Sequence, residues 1–326
     1  MSNSQRRRAV STVPGFLGLL LLSGCSAEEA RAIPTPETTQ PVKKVLVIGI
    51  DGCRPDALLA AQAPHLRCLM DNGAFSTTAQ TGDIPVSGPG WSSLLTGVWR
   101  EKHGVRDNKF EGSNFGEYPD CIARFKKAYP ERSTASVVNW EPIRTRILRG
   151  ADHNAVHKTD AVVEADACRL LRTSSPDLLF VHFDDVDDAG HKYGFDPHGR
   201  RYLAAIERVD AHVGRIIAAL CERPTASVED WLVVVSTDHG GLGKDHDRNV
   251  PENRTIFLIV SGPSAARGPI EPPPTSVDVA PTVLRHLGVS LDPTWQLDGK
   301  PVGLKHDSLE VVRLTGRGGP SGSQRK

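Results

Sequence analysis

The sequence lacks several features that point to common classes of function. Lys and Arg together number 39, as do Asp and Glu, so the formal net charge is zero. A neutral chain gives no argument for binding nucleic acid through bulk charge, so we expect no nucleic-acid polymer as a partner. No C-x-x-C pair occurs among the six cysteines, which argues against a thiolate metal site. No internal repeat is visible.

The N-terminus carries an apolar run, Phe16 to Leu22, that is too short to span a membrane. Arg6-Arg7-Arg8 precedes this run and Leu22-Ser23-Gly24-Cys25 ends it, which is the layout of an export signal. The Leu-Ser-Gly-Cys ending resembles a bacterial lipobox, which implies cleavage before Cys25 and lipid attachment to its thiol.

A plain secretory signal would leave Cys25 incidental, but this cysteine falls where the apolar run ends. We therefore expect an exported cell-envelope lipoprotein, anchored on the outer face of the membrane through Cys25. Residues 1–24 would be the signal peptide. Residues 25–41, rich in Ala, Glu, Thr and Pro, would form a flexible tether.

Five further cysteines follow, and the sequence cannot pair them. They are Cys53, Cys68, Cys121, Cys168 and Cys221. Outside the cytoplasm some could form disulfides, although an odd number leaves at least one free. Cys68, Cys168 and Cys221 lie in helical patterns, so we expect these three to be small buried hydrophobic residues.

Apolar runs of strand length alternate with helical patterns, which predicts a single α/β domain over residues 42–310 before a disordered tail, 311–326. Short apolar runs bounded by Gly and Pro are typical of buried parallel strands. The predicted strands are 45–50, 73–78, 134–139, 177–183, 231–236 and 255–260. The predicted helices are 57–70, 89–96, 118–129, 159–171, 202–220 and 276–287.

Three of the predicted strands end on acidic residues. Asp51 follows the first, a cluster of four acids, Asp184-Asp185-Val186-Asp187-Asp188, follows the fourth, and Asp238-His239 follows the fifth. Ligands of open α/β sheets bind outside the carboxyl ends of the strands. His191 comes four residues after Asp187, so both would share one helix face. Alone, Asp51 could equally be a cap or turn aspartate.

Ser87 and His246 extend this set. Ser87 lies near a predicted helix start, where exposed N–H groups favour an anion, although a capping serine would occupy the same place. Mixed carboxylate and imidazole groups suit Zn²⁺, and seven groups are too many for one tetrahedral ion but suit two. Two metals can clamp the oxygens of a displacement at phosphorus, and a metal-bound serine becomes a nucleophile.

With these motifs, the sequence resembles the alkaline phosphatase superfamily and, within it, the type I phosphodiesterase/nucleotide pyrophosphatase branch. The matching pieces are Ile-Gly-Ile-Asp51-Gly, Ser87-Gly-Pro with Leu-Leu-Thr-Gly97, His103-Gly-Val-Arg-Asp-Asn108, Asp187-Asp-Ala-Gly-His191-Lys-Tyr-Gly and Ser-Thr-Asp238-His239-Gly. They cover residues 43 to about 260. The resemblance implies an α/β fold, an alkaline-phosphatase-like sandwich with a mostly parallel central sheet and helices on both faces.

The resemblance further implies a two-metal phosphoesterase that hydrolyses phosphodiester or pyrophosphate bonds of a small phosphorylated substrate through a phosphoserine intermediate. Ser87 would be the nucleophile, and Asn108 would bind the phosphate. One divalent ion, Zn²⁺ or alternatively Mn²⁺, would be held by Asp51, Ser87, Asp238 and His239. The second would be held by Asp187, His191 and a third histidine.

Two candidates compete for that third histidine. His246 lies in a loop that follows directly from a strand end at the site, so we predict His246. The phosphodiesterase branch takes this ligand from near the C-terminus, and His306 resembles that location. His306 therefore remains the alternative.

The chain departs from the branch around the nucleophile, where many members carry Thr-Phe-Pro-Asn-His and this chain has Ser87-Gly-Pro-Gly-Trp91. This departure leaves the substrate preference open. The alternatives are a phosphomonoesterase or phosphonate hydrolase on the same fold, or a non-catalytic lipoprotein that binds phosphorylated ligands. No Cys or Ser stands in the Cys/Ser-x-Pro-x-Arg pattern of sulfatases, which argues against sulfate-ester hydrolysis.

Overall fold

One eight-stranded sheet runs through the part of the chain that the structure, a computed structural model, describes, residues 40–305. The predicted signal peptide with Cys25, nearly all of the tether, the tail 311–326 and His306 lie outside the described residues. Within those residues, no helix combines the length and apolar character needed to cross a membrane.

Eight strands and ten α-helices lie within residues 40–305. The strands are β1 Val42–Ile50, β2 Gly73–Gln80, β3 Thr134–Val138, β4 His153–Val156, β5 Leu178–Phe183, β6 Glu229–Ser236, β7 Thr255–Ser261 and β8 Gly268–Pro269. The helices are α1 Pro55–Ala60, α2 Pro64–Asp71, α3 Ser87–Thr96, α4 Arg100–His103, α5 Cys121–Ala128, α6 Asp160–Thr173, α7 Asp185–Tyr193, α8 Arg200–Cys221, α9 Pro251–Arg254 and α10 Val279–His286.

The strand order across the sheet is β4-β3-β5-β1-β6-β7-β2-β8. β7 pairs antiparallel with both of its neighbours, β6 and β2, and every other pairing is parallel. Seven strands therefore run in one direction and β7 runs in the other. The predicted fold class, a mostly parallel sheet covered on both faces, is confirmed.

Alternate residues of β1 face two separate hydrophobic cores, because successive side chains of a strand point to opposite faces. Leu46, Ile48 and Ile50 pack with α1, α2, α6, α7 and α8. Val45 and Val47 pack on the other face with α3, α5 and α10. All five side chains are buried, which explains why β1 reads as a continuous apolar run rather than as an alternating one.

β1 is the central strand of the trio β5-β1-β6, and its register aligns the three carboxyl ends. Gly49 lies opposite His182 of β5 and Ser236 of β6, and Ile50 lies opposite Phe183. The residues that follow these strands consequently emerge side by side at one edge of the sheet.

Several details differ from the sequence-based expectation. The predicted helix 57–70 is two helices, since the chain leaves α1 at Ala61 and restarts at Pro64, which suits a first helical position. The edge strands β4 and β8 were not predicted. The prediction of three buried helical cysteines is wrong for Cys68 and Cys221, which are exposed, and right for Cys168. All five cysteines within residues 40–305 are free thiols.

Helix α3 crosses β1 at Gly49, where only a missing side chain allows the contact. A Cβ at Gly49 would lie 2.3 Å from the ring of Trp91, which is fully buried. We expect Gly49→Ala to lower the free energy of unfolding by about 1–3 kcal/mol, the usual cost of an overpacked core. Chemical denaturation monitored by circular dichroism measures this loss.

Gly150→Ala is the matched control, because a Cβ at Gly150 meets nothing within 4 Å. Equal stability of the two variants would show that the Trp91 ring can move to accommodate the new methyl group. That result would contradict a tight contact between α3 and β1.

Candidate metal and phosphate site

Three acidic segments meet at the turn that follows β1. Asp51 N–H donates to the Phe183 carbonyl at 2.9 Å, and Cys53 N–H donates to Thr237 Oγ1 at 3.0 Å, so this turn is tied to the ends of both neighbouring strands. Gly52 has a positive φ of 62°, and a Cβ there would lie 2.4 Å from Asp187 Oδ1. A glycine at this position lets Asp187 approach the turn.

The first group of candidate ligands is Asp51, Asp238 and His239. His239 Nε2 lies 3.3 Å from Asp51 Oδ1 and 3.4 Å from Asp238 Oδ2. One ligand atom from each of the three lies within 4.8 Å of the others. Ser87 Oγ reaches the same place, 3.3 Å from His239 Nε2. The structure therefore brings together the four residues assigned from sequence to one metal ion.

The second group contains Asp187, His191 and His246. His191 Nε2 lies 3.2 Å from Asp187 Oδ2 and 3.2 Å from His246 Nε2, and His246 Nε2 lies 3.9 Å from Asp187 Oδ1. Asp187 and His246 also form a cluster with His239, whose ring stacks on that of His246 at a centroid distance of 3.7 Å. His239 thus lies between the two groups.

All three imidazoles are oriented by backbone carbonyls. Nδ1 of His239 contacts the carbonyl of Gly240 at 2.8 Å, that of His246 contacts Pro85 at 2.8 Å, and that of His191 contacts Lys244 at 2.9 Å. A carbonyl only accepts, so each Nδ1 carries the proton and donates. Each Nε2 is then free to present its lone pair to the site, which is the arrangement of metal-binding histidines.

Each of three aspartates has one carboxylate oxygen without a hydrogen-bond partner among residues 40–305. These atoms are Asp51 Oδ1, Asp187 Oδ1 and Asp238 Oδ2. Buried carboxylates that are not neutralised by protons normally have hydrogen-bond partners, ion pairs or metal ions. Because the unpaired oxygens and the Nε2 atoms converge, this donor set fits divalent cations such as Zn²⁺ or Mn²⁺.

Ser87 is the first residue of α3, two residues earlier than predicted, and the helix cap is Val86. Its hydroxyl makes no capping bond, so the capping alternative does not hold. The first turn offers few N–H groups to an anion, because Gly88 N–H donates to Asn108 Oδ1 at 2.7 Å and Pro89 has no N–H. That bond leaves Asn108 Nδ2 as a donor with no partner among the described residues.

The family of the chain follows from comparison with known proteins. Residues 45–149 and 120–257 match the family described as type I phosphodiesterase/nucleotide pyrophosphatase. The chain belongs to this family. The matched span contains Asn108 and all seven predicted ligands, whereas His306 lies beyond it.

Curated relatives of this family member include bovine bis(5'-adenosyl)-triphosphatase ENPP4, with 24% identity over 249 residues, covering 70% of this chain and 52% of the relative. The chain thus spans about half the length of that relative. A phosphopentomutase of Methylobacterium radiotolerans is 35% identical over 120 residues, or 35% of this chain and 26% of the mutase.

Solved structures show the same fold. Murine ENPP5 in complex with AMP superimposes with a TM-score of 0.61 at 16% identity, covering 77% of this chain and 96% of that chain. A putative sulfatase from Bacteroides thetaiotaomicron gives 0.64 at 17% identity, covering 80% and 73%. At these identities the likeness concerns the fold alone.

The sequence-based interpretation missed two residues of the site, His182 and Trp91. His182 Nε2 and Trp91 Nε1 both contact Asp51 Oδ2, at 3.0 and 2.8 Å. The sequence signal for His182 was a histidine inside the otherwise apolar strand Leu178–Phe183. Trp91 carried no such signal, since a tryptophan on a buried helix face usually serves packing.

The start of α7 is fixed by another acid, Asp160, that was not singled out from the sequence. Asp160 Oδ1 accepts the Asp184 N–H, and Asp160 Oδ2 accepts the Asp185 N–H, both at 3.0 Å. Asn139 Nδ2 donates to the same carboxylate at 2.8 Å. These bonds place the first turn of α7, and with it Asp187, at the edge of the sheet.

The surroundings shift the pKa values of these acids in opposite directions. Burial raises the pKa of Asp238 well above its usual range, and the charges of Asp51 and Asp187 raise it further. Burial, Asp51 and Asp187 also raise the pKa of Asp184 to about 9. Burial opposes ionisation of Asp51 as well, but the hydrogen bond from His182 and the charge of His239 outweigh it and lower its pKa.

The raised pKa of Asp238 gives a test in the metal-free protein. The folded state binds this proton more tightly than the unfolded state, so stability falls as pH rises above the ordinary aspartate pKa. We expect Asp238→Asn to melt at least about 2 °C higher than wild type in EDTA at pH 7, the shift produced by roughly 1 kcal/mol. The difference should shrink as the pH falls toward about 4.

Asp71→Asn, at the exposed end of α2, controls for loss of one negative charge. A melting temperature of Asp238→Asn equal to that of Asp71→Asn at pH 7 would contradict repulsion at the site. Calorimetry of the three proteins at several pH values makes the comparison.

Proposed function

We propose that this chain is a two-metal phosphoesterase that hydrolyses phosphodiester or pyrophosphate bonds through a phosphoserine intermediate. The observation that carries this proposal is the convergence of unpaired carboxylate oxygens and histidine Nε2 atoms beside the hydroxyl of Ser87, which makes no capping bond. Family membership supports the same reaction class, because curated relatives such as bovine ENPP4 carry the name of a nucleotide hydrolase.

Two divalent ions fit the two groups, with Zn²⁺ suited best by the imidazole and carboxylate donors and Mn²⁺ as the alternative. Asp51, Ser87, Asp238 and His239 would hold one, and Asp187, His191 and His246 the other. The close approach of His246 Nε2 to His191 Nε2 supports His246 over His306 as the third histidine. Bound ions would supply Lewis acidity that stabilises negative charge on phosphoryl oxygens and on the Ser87 oxygen.

Ser87 then performs the covalent step. After loss of its proton to solvent, Oγ attacks phosphorus, the new P–Oγ bond forms, and the bond to the leaving oxygen breaks. Water later hydrolyses the P–Oγ bond and restores the hydroxyl. Splitting hydrolysis into two displacements is the usual role of a serine nucleophile.

Asn108 would donate to a phosphoryl oxygen during both displacements. Its Oδ1 accepts from the N–H of Gly88, the residue after Ser87, which leaves Nδ2 free to donate. A donor aimed at developing negative charge contributes about 2.7–4 kcal/mol to the transition state in related oxyanion sites.

The substrate class is a small phosphorylated molecule rather than a nucleic-acid polymer. The relatives support a nucleotide, since ENPP4 is named for a dinucleoside triphosphate and the ENPP5 structure contains AMP. The neutral net charge of the chain gives no argument for a polymer held by bulk charge.

We expect the zinc-loaded protein to contain two ions per chain by elemental analysis and to cleave a chromogenic phosphodiester and a nucleoside pyrophosphate faster than a phosphomonoester. Ser87→Ala should reduce turnover by roughly 10³-fold or more. Mass spectrometry of quenched reactions should find the phosphoryl group on Ser87.

Ser92→Ala is the matched control on the same helix. Its buried hydroxyl only donates to the Gly88 carbonyl at 2.6 Å, so this change should cost about 1 kcal/mol of stability and leave turnover intact. Faster cleavage of the monoester would favour the phosphatase alternative. Ligand binding without turnover of any substrate would favour a binding protein, and near-normal turnover of Ser87→Ala would remove Ser87 as nucleophile.

We further propose that the protein is exported and anchored in the cell envelope through lipid on Cys25. The support is the order of Arg6-Arg7-Arg8, the short apolar run and Leu22-Ser23-Gly24-Cys25. Mass spectrometry of protein extracted from host membranes should find an acylated Cys25 as the first residue, and Cys25→Ala should release the protein from the membrane fraction. An unmodified N-terminus elsewhere would refute the anchor.

A further inference from the structure

One oxygen of Asp51 is saturated by two donors that the proposed reaction does not use. Trp91 Nε1 donates to Asp51 Oδ2 at 2.8 Å, and His182 Nε2 lies 3.0 Å from the same oxygen. Trp91 and His182 are fully buried and Asp51 is 1% exposed, so water does not compete for these bonds. The two rings also meet edge to face, at a centroid distance of 5.0 Å.

The proton of His182 can be assigned from its other nitrogen. The backbone N–H of Trp140 points at His182 Nδ1 at 3.4 Å, so Nδ1 accepts and carries no proton. The proton of the neutral ring therefore lies on Nε2 and is donated to Asp51. This assignment is the reverse of that in His191, His239 and His246, whose Nδ1 atoms donate to carbonyls.

The same assignment argues against a cation between Asp51, His182 and Asp184, which also cluster closely. A cation there would need the lone pair of His182 Nε2. Freeing this lone pair would move the proton to Nδ1, where it would face the Trp140 N–H. Two donors facing each other in a buried site are unfavourable.

Two bonds fill the lone pairs of Asp51 Oδ2, whereas Asp51 Oδ1 has no hydrogen-bond partner among residues 40–305 and lies 3.3 Å from His239 Nε2. We propose that His182 and Trp91 are positioning residues. They would fix Asp51 so that Oδ1 alone faces the ion assigned to the group of Asp51 and His239. This inference rests on the proposed two-metal function. It predicts that Asp51 binds its ion through one oxygen.

Zinc titration against a competing chelator, with the visible spectrum of the Co²⁺-loaded protein, tests the inference without measuring activity. Trp91→Phe keeps an aromatic ring but loses the indole N–H together with the five-membered ring that carries it, and His182→Leu removes both ring nitrogens. Each variant should lower the affinity for one of the two ions by about 10–100-fold, which is the usual effect of losing a partner that orients a ligand. The Co²⁺ absorption of that site should change as well. The other ion should keep its affinity.

His182→Gln is the rescue variant, because its amide can donate to Asp51 and accept from Trp140. We expect it to bind both ions within about threefold of wild type, since the orienting hydrogen bond is kept. His246→Ala shows which Co²⁺ signal belongs to which site, because it should lower the affinity for the ion held with Asp187 and His191. Melting curves establish that each variant is folded, and Trp91→Phe carries the test if His182→Leu is not.

Unchanged affinities and Co²⁺ spectrum in Trp91→Phe and His182→Leu would overturn the inference while leaving the two-metal function standing. Equal losses in His182→Gln and His182→Leu would also overturn it, because they would show that ring packing rather than the hydrogen bond matters. A wild-type protein that binds no divalent ion would instead overturn the proposed function, and the positioning role with it.

Discussion

Negative charge concentrated at the carboxyl edge of three adjacent strands is the constraint on which the rest of the site depends. The order β5-β1-β6 brings Asp51, Asp187 and Asp238 into one largely water-free volume. Like charges about 4 Å apart repel by roughly 4 kcal/mol even at an effective dielectric constant of 20. Such a cluster is tolerable only if protons or cations neutralise it, and the fold must otherwise supply enough stability to hold it together.

That stability comes from the two cores on either face of β1 and from bonds that tie the strand ends together. Glycine at positions 49 and 52 allows α3 and α7 to approach the central strand, so the helices that carry Ser87 and Asp187 are placed by close packing. Loops contribute His239 and His246 and α7 contributes His191, yet each ring is held by a backbone carbonyl. The donor atoms are therefore oriented by rigid elements before any ligand arrives, which is what an efficient site requires.

Much of this arrangement could be predicted from sequence because it follows local rules. Asp51 and Asp238 end apolar runs, and Asp187 and His191 have helical spacing, so a strand and a helix pattern suffice to place all four. The roles of His182 and Trp91 could not be predicted, since each depends on a contact with Asp51 that lies 131 or 40 residues away along the chain.

Other failures have equally physical causes. The exposure of Cys68 and Cys221 depends on which side of a helix the neighbouring elements cover, and a helical pattern with small residues does not reveal it. β8 is only two residues long and β4 four, so neither has enough periodicity to be recognised. The start of α3 was misplaced because proline at a first helical position is only a preference, and Pro89 here lies two residues inside the helix.

The two ligand groups differ in their contact with solvent. The side chain of His191 is 43% exposed, whereas those of Asp51, Asp238 and His239 are 2% exposed or less. The group with His191 is therefore the one that meets solvent, and the ring of His239, stacked on that of His246, lies between the two groups. If both groups hold ions as proposed, the ion beside His191 would exchange with solvent more readily than the ion beside Asp51. A chelator would then remove the ion beside His191 first and leave a half-loaded site.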